Sequence, residues 1–439
     1  MNMLAWIGML TIIILTPLPL LIKENRTKEE IRKVIVTEVI ALAIIIAVLF
    51  FSVNYLLALV VGFIALILFN KKTYTKKRLI TYGAIILVVG IAGYSVFRDN
   101  PDYVLNHLKE NPQTTSFYLA ENGVELIAYQ SDVVRPLAST VKMLIAVEYA
   151  MQIDAGLLDK DSTVSLDELS RYYVKDTDGN AHVEWLKAME SEGKVVENKV
   201  TLHDVAKGMV TYSSNVNTDY LIDLLGAASI NERAKSLGLT EHEEVYPIVS
   251  ALLIPEYLKS ESSESMNNNE IISEIESMPI DEYREIAVKL SKQMKEGTIK
   301  SGDYTYELPL KVQRVWSDRL IGASANDYGK LLEVITKDQL PMKAAETARD
   351  LLEWPMQLYE GNHKRFVHLG AKGGSTAFVL NDAMYAEDHN GNKIEMVILT
   401  DDLSLWQGIL LRNNLNSFKS KLLGSKEYRL KVQKDLSEL

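Results

Sequence analysis

Long runs of apolar, uncharged residues dominate the first 97 positions of the chain. A bilayer core takes about 20 helical residues, so the runs at 1–22 and 79–97 each predict one membrane span. The run at 39–70 is too long for one span, and its polar centre at 52–55 favours a tight turn between two spans. The pattern therefore predicts an all-α bundle of four transmembrane helices, at about 3–22, 34–52, 55–70 and 79–97.

Basic loops between these runs decide between three spans and four. Residues 23–33 and 71–78 each carry five Lys or Arg residues, and short basic loops stay on the cytoplasmic side of a membrane. Three spans would place the two loops on opposite sides, whereas four spans place both inside and the following domain outside. A signal peptide at 1–22 is the rival interpretation, but that segment lacks a basic start and a small-residue cleavage site.

Beyond the membrane region, the apolar positions follow the shorter periods of a globular domain. Residues 116–130 alternate like two strands around Glu121-Asn122-Gly123, and Asn-Gly is the strongest short hairpin signal. Helical periodicity fills most of residues 155–240. Further helices are predicted at 101–109, 280–294, 325–335 and 405–423, with Ser324 as the N-cap of the third. Short strands are predicted at 366–369, 383–387 and 395–399. Strands at both ends with helices between them predict one sheet built from distant segments, an α/β (α+β) fold.

Polar segments mark the expected boundaries of these units. The predicted organisation is a transmembrane region at 1–97, a linker at 98–114, a globular domain at 115–425 with an acidic insertion at about 259–320, and a polar tail at 426–439. The insertion opens with the unpatterned polar run 259–269, which predicts a loop.

Charge and composition exclude several classes of function. Residues 1–97 carry ten basic and four acidic residues, whereas the remainder carries 37 basic and 54 acidic residues. A domain this acidic repels nucleic-acid phosphates, so we expect no nucleic-acid partner. The chain has no cysteine, which excludes disulfides, thiolate zinc sites and a cysteine nucleophile. Its seven histidines show no metal-ligand spacing, so we expect no metal and no other cofactor.

The strongest candidate for chemistry is the S-x-x-K sequence from Ser139 to Lys142, at the start of a predicted helix. Positions i and i+3 share a helix face, so Lys142 can reach the Ser139 hydroxyl and accept its proton. Backbone N–H groups at a helix N-terminus also favour an oxyanion there. An ordinary helix N-cap is the alternative interpretation of Ser139. A second S-x-x-K, from Ser191 to Lys194, lies in a polar stretch without a helix to follow it.

Two further motifs follow in order along the chain. Ser213-Ser214-Asn215 comes after a helical region, and Lys372-Gly373-Gly374-Ser375 ends a predicted strand. Each pattern also occurs elsewhere, at 229–231 and 324–326 for S-x-N and at 295–298 for the lysine motif. Only the set beginning at Ser139 has the elements between its motifs in a consistent order.

This ordered set resembles the S-x-x-K, S-x-N and K-T-G motifs of class A β-lactamases and penicillin-binding enzymes. The similarity covers most of residues 115–420. It implies an antiparallel sheet with flanking helices and an all-helical subdomain. It also implies Ser139 as nucleophile, Lys142 as its base or proton relay, and Ser213 as proton donor to the leaving nitrogen.

The same resemblance implies a substrate-binding set. Asn215 would hold the amide side chain of the substrate, and Lys372 would supply positive potential for a substrate carboxylate. The backbone N–H groups of Ser139 and Ser375 would form the oxyanion hole. Further substrate contacts would come from Gly374 and from the hydroxyl of Ser375 or Thr376.

Three departures from the family pattern matter. Ser214 replaces the usual Asp, and Gly373 replaces the Thr of K-T-G and so removes a hydroxyl from the carboxylate pocket. The E-x-x-L-N sequence that supplies the class A deacylating acid is absent, and the corresponding region at 241–247 offers only Glu243 or Glu244 for that role. Acylation is therefore better supported than fast deacylation.

These observations predict a serine hydrolase in a multi-pass protein of the bacterial plasma membrane, with its catalytic domain extracytoplasmic. Its partners would be the lipid bilayer and a β-lactam or peptidoglycan-type substrate, and the oligomeric state is left open. One alternative is a β-lactam or cell-wall sensor that is acylated without turnover, although no histidine for a zinc-protease motif occurs before His107. Another is a wall-binding scaffold without catalysis.

Overall fold

The computed structural model describes residues 98–175, 177–262, 265–299 and 309–438. The chain divides into two units, 1–98 and 99–439. The four expected membrane spans, and with them the predicted transmembrane bundle, lie outside the described residues. Within the described part, no helix is long and apolar enough to cross a bilayer.

The second unit is built on an antiparallel sheet of five strands in the order β2-β1-β9-β8-β7. In chain order the strands are β1 Thr115–Glu121, β2 Val124–Tyr129, β3 Arg135–Pro136, β4 Thr163–Ser165, β5 Lys199–Thr201, β6 Gly322–Ala323, β7 Phe366–Ser375, β8 Leu380–Asp388 and β9 Lys393–Thr400. The short pairs β3–β6 and β4–β5 form two separate ribbons. Pairing of β1 with β9 joins the two ends of the domain, as the sequence predicts.

The predicted hairpin at 116–130 is confirmed. Glu121 pairs with Val124, which leaves Asn122 and Gly123 as a two-residue turn. Both turn residues have positive φ, 53° and 75°. This is the conformation that favours Asn-Gly in tight hairpins.

Helices cover both faces of the sheet. In chain order they are α1 Pro101–Glu110, α2 Lys142–Asp154, α3 Leu166–Ser170, α4 Ala181–Ser191, α5 Leu202–Lys207, α6 Asn215–Leu225, α7 Ala227–Ser236, α8 Ile248–Ala251, α9 Ile254–Glu261, α10 Asn268–Ser277, α11 Ile280–Glu296, α12 Leu310–Asp318, α13 Ala325–Thr336, α14 Met342–Leu352, α15 Trp354–Leu358, α16 Gly361–Arg365, α17 Leu405–Gly424 and α18 Lys426–Ser437. A 3₁₀ turn at Ala138–Val141 precedes α2, and a π-helical turn at Gly208–Tyr212 follows α5.

Alternate residues of the strands pack into two different cores. In β1, Phe117 and Leu119 face the core formed with α1, α17 and α18, whereas Tyr118 and Ala120 face the larger helical core. The period of two along a strand explains this division. The antiparallel sheet with flanking helices and a helical subdomain is therefore confirmed for the described residues.

The expected linker contains the helix that its sequence predicts, and this helix packs into the domain, whereas the C-terminal end differs from the predicted polar tail. Helix α1, within the expected linker, buries Val104, Leu105 and Leu108 completely or nearly so. Helix α18, within the expected polar tail, buries Val432 and Leu436 against the same core. Both segments are structural layers of the domain, because each is an amphipathic helix with an apolar face to bury.

The described parts of the acidic insertion are largely helical and contribute to the main core. Helices α10 and α11 bury Ile271, Ile275 and Leu290. Part of the expected loop at 259–269 is helical as well, since α9 extends to Glu261 and Asn267 caps α10 through a capping box. The polar residues of α10 and α11 are therefore mostly the solvent-facing sides of packed helices.

Candidate active site

Ser139 lies in a constrained turn beside the sheet. Its neighbour Ala138 has φ of 48°, a left-handed conformation that is uncommon for residues other than glycine. A hydrogen bond from Leu137 N to Ile321 O, at 2.9 Å, ties this turn to the residue before strand β6. Ser139 itself is half-buried. The backbone therefore presents this hydroxyl at the start of a buried helix, with Lys142 one turn along.

Lys142 is fully buried, and its ammonium group contacts the second motif. Its Nζ makes hydrogen bonds to Ser213 O at 2.6 Å, to Ser213 Oγ at 3.1 Å and to Asn215 Oδ1 at 2.7 Å. The sequence predicts contact with Ser139, but in this structure these bonds direct the lysine at Ser213 and Asn215. Catalytic hydrogen bonds often tighten only when substrate is bound.

Ser213 brings the first and third motifs together. It follows the π-helical turn with φ of 65°, and Ser214 then caps α6 by accepting a hydrogen bond from Asn217 N. Lys372 Nζ lies 3.1 Å from the same Ser213 Oγ and donates to Gly373 O at 2.8 Å. Two buried lysines thus converge on one hydroxyl, which unites residues far apart in the sequence.

Burial lowers the pKa of both lysines, and the charge of Lys372 adds to the shift at Lys142. Burial holds the pKa of Lys142 well below its ordinary value, and the charge of Lys372 lowers it further, against Asp178 and Asp219. Burial also lowers the pKa of Lys372 to about 8, although Asp382 opposes this shift. Burial and the charge of Lys372 therefore both destabilise the charged form of Lys142 relative to a lysine in water.

The hydrogen bonds are compatible with a neutral Lys142. Two of its partners, Ser213 O and Asn215 Oδ1, accept only and can take the two N–H groups of an amine. The third partner, Ser213 Oγ, can donate its proton to the amine lone pair while it accepts from a charged Lys372. The network is complete with one neutral and one charged lysine, which is the state that a general base requires.

The third motif packs directly against the nucleophile turn. A Cβ atom on Gly374 would lie 2.5 Å from Leu137 O and 2.7 Å from both Ser139 N and Thr140 N. Only glycine allows strand β7 to approach this closely. The structure therefore brings the end of β7, including Ser375, beside the backbone N–H of Ser139, as an oxyanion hole requires.

The two hydroxyls expected to bind a carboxylate have different surroundings. Ser375 is exposed at the end of β7. Thr376 Oγ1 accepts a hydrogen bond from Phe378 N at 3.0 Å and lies 2.7 Å from Ser317 Oγ of α12. The Thr376 hydroxyl thus holds the following turn to the insertion, and Ser375 is the more accessible of the two.

The two candidate deacylating acids have partners or surroundings other than the lysine cluster. The Glu243 carboxylate accepts a hydrogen bond from Gly322 N at 3.0 Å and faces Arg284 at 3.5 Å. Glu244 is exposed. Glu243 thus pins its loop to strand β6, and neither side chain is hydrogen-bonded to Ser139, Lys142 or Ser213 in the described residues.

The competing copies of the motifs have ordinary structural roles. Ser191 ends α4, and Lys194 pairs with Glu192 and Asp204. Ser324 is the N-cap of α13, as its position in the sequence predicts. Lys295, at the end of α11, pairs with Asp223. Among the described residues, no group of three or more His, Asp or Glu side chains could hold a metal ion.

Sequence reasoning missed buried residues that pack around the second motif. Asp219, one helical turn after Asn215, is buried and accepts hydrogen bonds from Ile248 N at 2.7 Å and Val249 N at 2.8 Å. Burial raises its pKa to about 7, against these backbone donors. Gly208 is a second such residue. A Cβ atom at this position would lie 2.6 Å from Trp185 Nε1, so only glycine fits here. An acid among apolar helix positions and a glycine within a helix are signals that could have indicated both.

Comparisons with known proteins identify the family of the chain. A family model described as the beta-lactamase enzyme family matches residues 102–417. Among solved structures, a beta-lactamase from Chitinophaga pinensis has 13% identity and a TM-score of 0.44, covering 73% of this chain and 99% of its own. A beta-lactamase from Sphaerobacter thermophilus has 15% identity and a TM-score of 0.44, covering 73% and 96%. PBP-A has 15% identity and a TM-score of 0.42, covering 72% and 95%.

No curated protein sequence matches the chain. The family model alone spans well over half of the 439 residues. By that match, the chain belongs to the beta-lactamase enzyme family.

Proposed function

We propose that this protein is a serine hydrolase that acts on an amide bond through an acyl-enzyme at Ser139. The observation that carries the proposal is the convergence of Lys142 and Lys372 on the Ser213 hydroxyl, with Gly374 packed on the backbone of Ser139. An ordinary helix N-cap needs neither a buried lysine pair nor a strand at van der Waals distance. The arrangement instead supports the roles of nucleophile for Ser139, base for Lys142 and proton donor for Ser213, beside an oxyanion hole.

In the acylation step, Ser139 Oγ attacks the carbonyl carbon of the substrate. The serine proton passes to the neutral Lys142 amine, and the oxyanion is stabilised by the N–H groups of Ser139 and Ser375. The C–N bond then breaks, and Ser213 delivers a proton to the leaving nitrogen while Lys142 returns one to Ser213. The products are an ester on Ser139 and a free amine, so atoms and charge balance.

The substrate class follows from the charges around the cleavage site. Lys372 has a third N–H beyond its bonds to Ser213 and Gly373, and Ser375 is exposed three residues further along the same strand. A carboxylate on the leaving-group side would satisfy both. β-Lactams and cell-wall peptides ending in D-Ala carry such a carboxylate, and we propose these as the substrates.

A second candidate function is that of a sensor whose acyl-enzyme persists. The observation that favours it is the engagement of Glu243 with Gly322 N and Arg284, together with the exposure of Glu244. Hydrolysis of the ester needs a base to activate water. Without an acid held at the ester, deacylation would be slow and the adduct long-lived.

For the location, we propose that the four N-terminal spans anchor the protein in the bacterial plasma membrane with the catalytic domain extracytoplasmic. The support is the pair of basic loops at 23–33 and 71–78, which favours an even number of spans. Cell-wall peptides are found on that side of the membrane, so location and substrate are consistent with each other.

Incubation of purified full-length protein with a fluorescent penicillin tests the proposed chemistry. We expect covalent labelling of the wild type and no labelling of Ser139→Ala, because the ester cannot form without the hydroxyl. The fold should persist, since loss of a hydroxyl at a helix start costs at most about 2 kcal/mol. A folded wild-type protein that remains unlabelled by penicillins and D-Ala peptide esters would contradict the proposal.

A further inference from the structure

The middle residue of the second motif is anchored to a histidine that the acyl-transfer chemistry does not use. Ser214 lies between Ser213 and Asn215, the two residues that contact Lys142. It is completely buried and occupies the position where the family usually has Asp. His182 Nδ1 lies 3.2 Å from Ser214 Oγ. A residue in a different helix thus contacts the turn between two proposed site residues.

The hydrogen bonds fix the direction of donation at this contact. Ser214 Oγ donates to Asn217 Oδ1 at 3.0 Å and accepts from Asn217 N at 3.3 Å. His182 Nδ1 faces Ser214 Oγ and also Asn217 Oδ1, at 3.3 Å. Both oxygens are acceptors toward the ring, so His182 donates from Nδ1 and carries its proton there.

The histidine is itself held in place from several sides. It is only 4% exposed, and its ring contacts Tyr173 and Trp185 at centroid distances of 5.3 and 5.4 Å. Its backbone N donates to Asp178 Oδ2 at 3.0 Å, in the first turn of α4. Burial lowers the pKa of His182, against Asp178 and Asn217, which agrees with a neutral ring. The charge of Asp178 also raises the pKa of Lys142, against the effect of burial.

The backbone turn at Ser213 needs contacts of this kind to hold it. Ser213 has φ of 65°, a left-handed conformation that is unfavourable for a residue with a side chain unless the surroundings hold it. Asn217, also completely buried, donates from Nδ2 to Val205 O at 3.0 Å and so ties the same turn to α5. His182, Ser214 and Asn217 together fix the place where Ser213 and Asn215 meet Lys142.

We propose that His182 is a positioning residue for acyl transfer, which holds Ser213 and Asn215 on Lys142 through its Nδ1–H bond to Ser214 and Asn217. This inference rests on the proposed function. In this chain, the histidine donor and the serine acceptor take the place of the aspartate usual in the family motif. Loss of the Nδ1–H donor removes a hydrogen bond from two buried oxygens, Ser214 Oγ and Asn217 Oδ1. The turn at Ser213 is then free to relax.

Two substitutions separate positioning from packing. In His182→Asn, the amide nitrogen is as many bonds from Cα as Nδ1, so the donor to Ser214 is kept while the ring is lost. In His182→Phe, the ring between Tyr173 and Trp185 is kept and the donor is lost. A residue needed only for packing would tolerate Phe better than Asn. A positioning residue would tolerate Asn better than Phe.

The measurement is the rate of acyl-adduct formation on Ser139 in the full-length protein, with a fluorescent penicillin and with a fluorophosphonate. The second reagent reports on the nucleophile without requiring the proposed substrate. We expect the Asn variant to react at nearly the wild-type rate and the Phe variant roughly 100-fold more slowly, because small misplacement of reacting groups has effects of that size. Equal rates for Asn and Phe, or a faster Phe variant, would overturn the inference.

Amide hydrogen exchange keeps the test independent of activity. The Asn217 N–H should exchange faster in His182→Phe than in His182→Asn, because its acceptor Ser214 is then less well held. A wild-type protein that reacts with neither reagent would contradict the proposed function, and exchange at Asn217 would then decide the positioning role by itself. Exchange rates that are the same in both variants would overturn it.

Discussion

Substitution of Gly374 by alanine should separate the third motif from the nucleophile. The new Cβ would lie 2.5 Å from Leu137 O and 2.7 Å from Ser139 N and Thr140 N, whereas ordinary contact begins at 3.4 Å. The three obstructing atoms belong to the backbone and cannot rotate away. Strand β7 and the Ser139 turn would have to move apart by about 0.7 to 0.9 Å, and such overpacking costs roughly 1–3 kcal/mol of stability.

The effect on catalysis should exceed the effect on folding. A shift of this size moves Ser375 N–H relative to Ser139 N–H, and loss of one aligned oxyanion donor slows related reactions roughly 100- to 1000-fold. The assay is the rate of fluorescent-penicillin labelling, with circular dichroism to check the fold. We expect a folded Gly374→Ala protein that is labelled at least about 100-fold more slowly than the wild type.

The neighbouring glycine supplies a matched control. A Cβ on Gly373 would meet Asn381 O at 3.4 Å and Asp382 Oδ2 at 3.7 Å, both ordinary contacts. Gly373→Ala should therefore react within about twofold of the wild type, since substitutions without a clash change little. If Gly374→Ala were labelled as fast as Gly373→Ala, the close packing of β7 on the nucleophile turn would not be an oxyanion hole.

Deacylation, pH dependence and topology give three further tests. Hydrolysis of a chromogenic cephalosporin should show a burst and then slow turnover, because a general base speeds hydrolysis of the acyl-enzyme roughly 100- to 10,000-fold and none is held there. Fast steady turnover that is lost in Glu243→Gln would contradict this. KM for carboxylate-bearing substrates should rise above pH 8 with kcat little changed. Burial lowers the pKa of Lys372 to about 8, so above that pH the lysine loses the charge that attracts the carboxylate. A constant KM from pH 7 to 10 would contradict this. In this cysteine-free chain, Asn54→Cys should be labelled from outside intact cells and Thr75→Cys should not; external labelling at position 75 would refute the four-span topology.

Much of the fold could be predicted from local patterns. The Asn122-Gly123 turn, the strands around 366–400 and the Ser324 cap each depend on a few neighbouring residues. The ordered motifs likewise predicted which distant segments meet at Lys142. Local signals of this kind need no knowledge of the tertiary structure.

The C-terminal helix shows a signal that was present in the sequence but not used. Tyr428, Val432 and Leu436 recur every four residues, which is the period of one helix face. The short length and high polarity of the segment favoured a tail instead. Packing against the apolar face of the sheet provides the stabilisation that so short a helix lacks alone.

Other features could not be predicted from local sequence. The contact of His182 with Ser214 joins residues 32 positions apart, and the contact of Ser317 with Thr376 joins residues 59 apart. No periodicity encodes such pairs, because each depends on how separate helices pack. The engagement of Glu243 by Gly322 has the same origin.

The central claim is that Ser139 carries the acyl group. Its most direct test is mass spectrometry of peptides from full-length protein after brief reaction with penicillin. We expect one adduct, equal in mass to the intact penicillin, on the peptide that contains Ser139, and none in Ser139→Ala. An adduct that persists in that variant, or one found on Ser191, would show that the nucleophile has been assigned to the wrong serine.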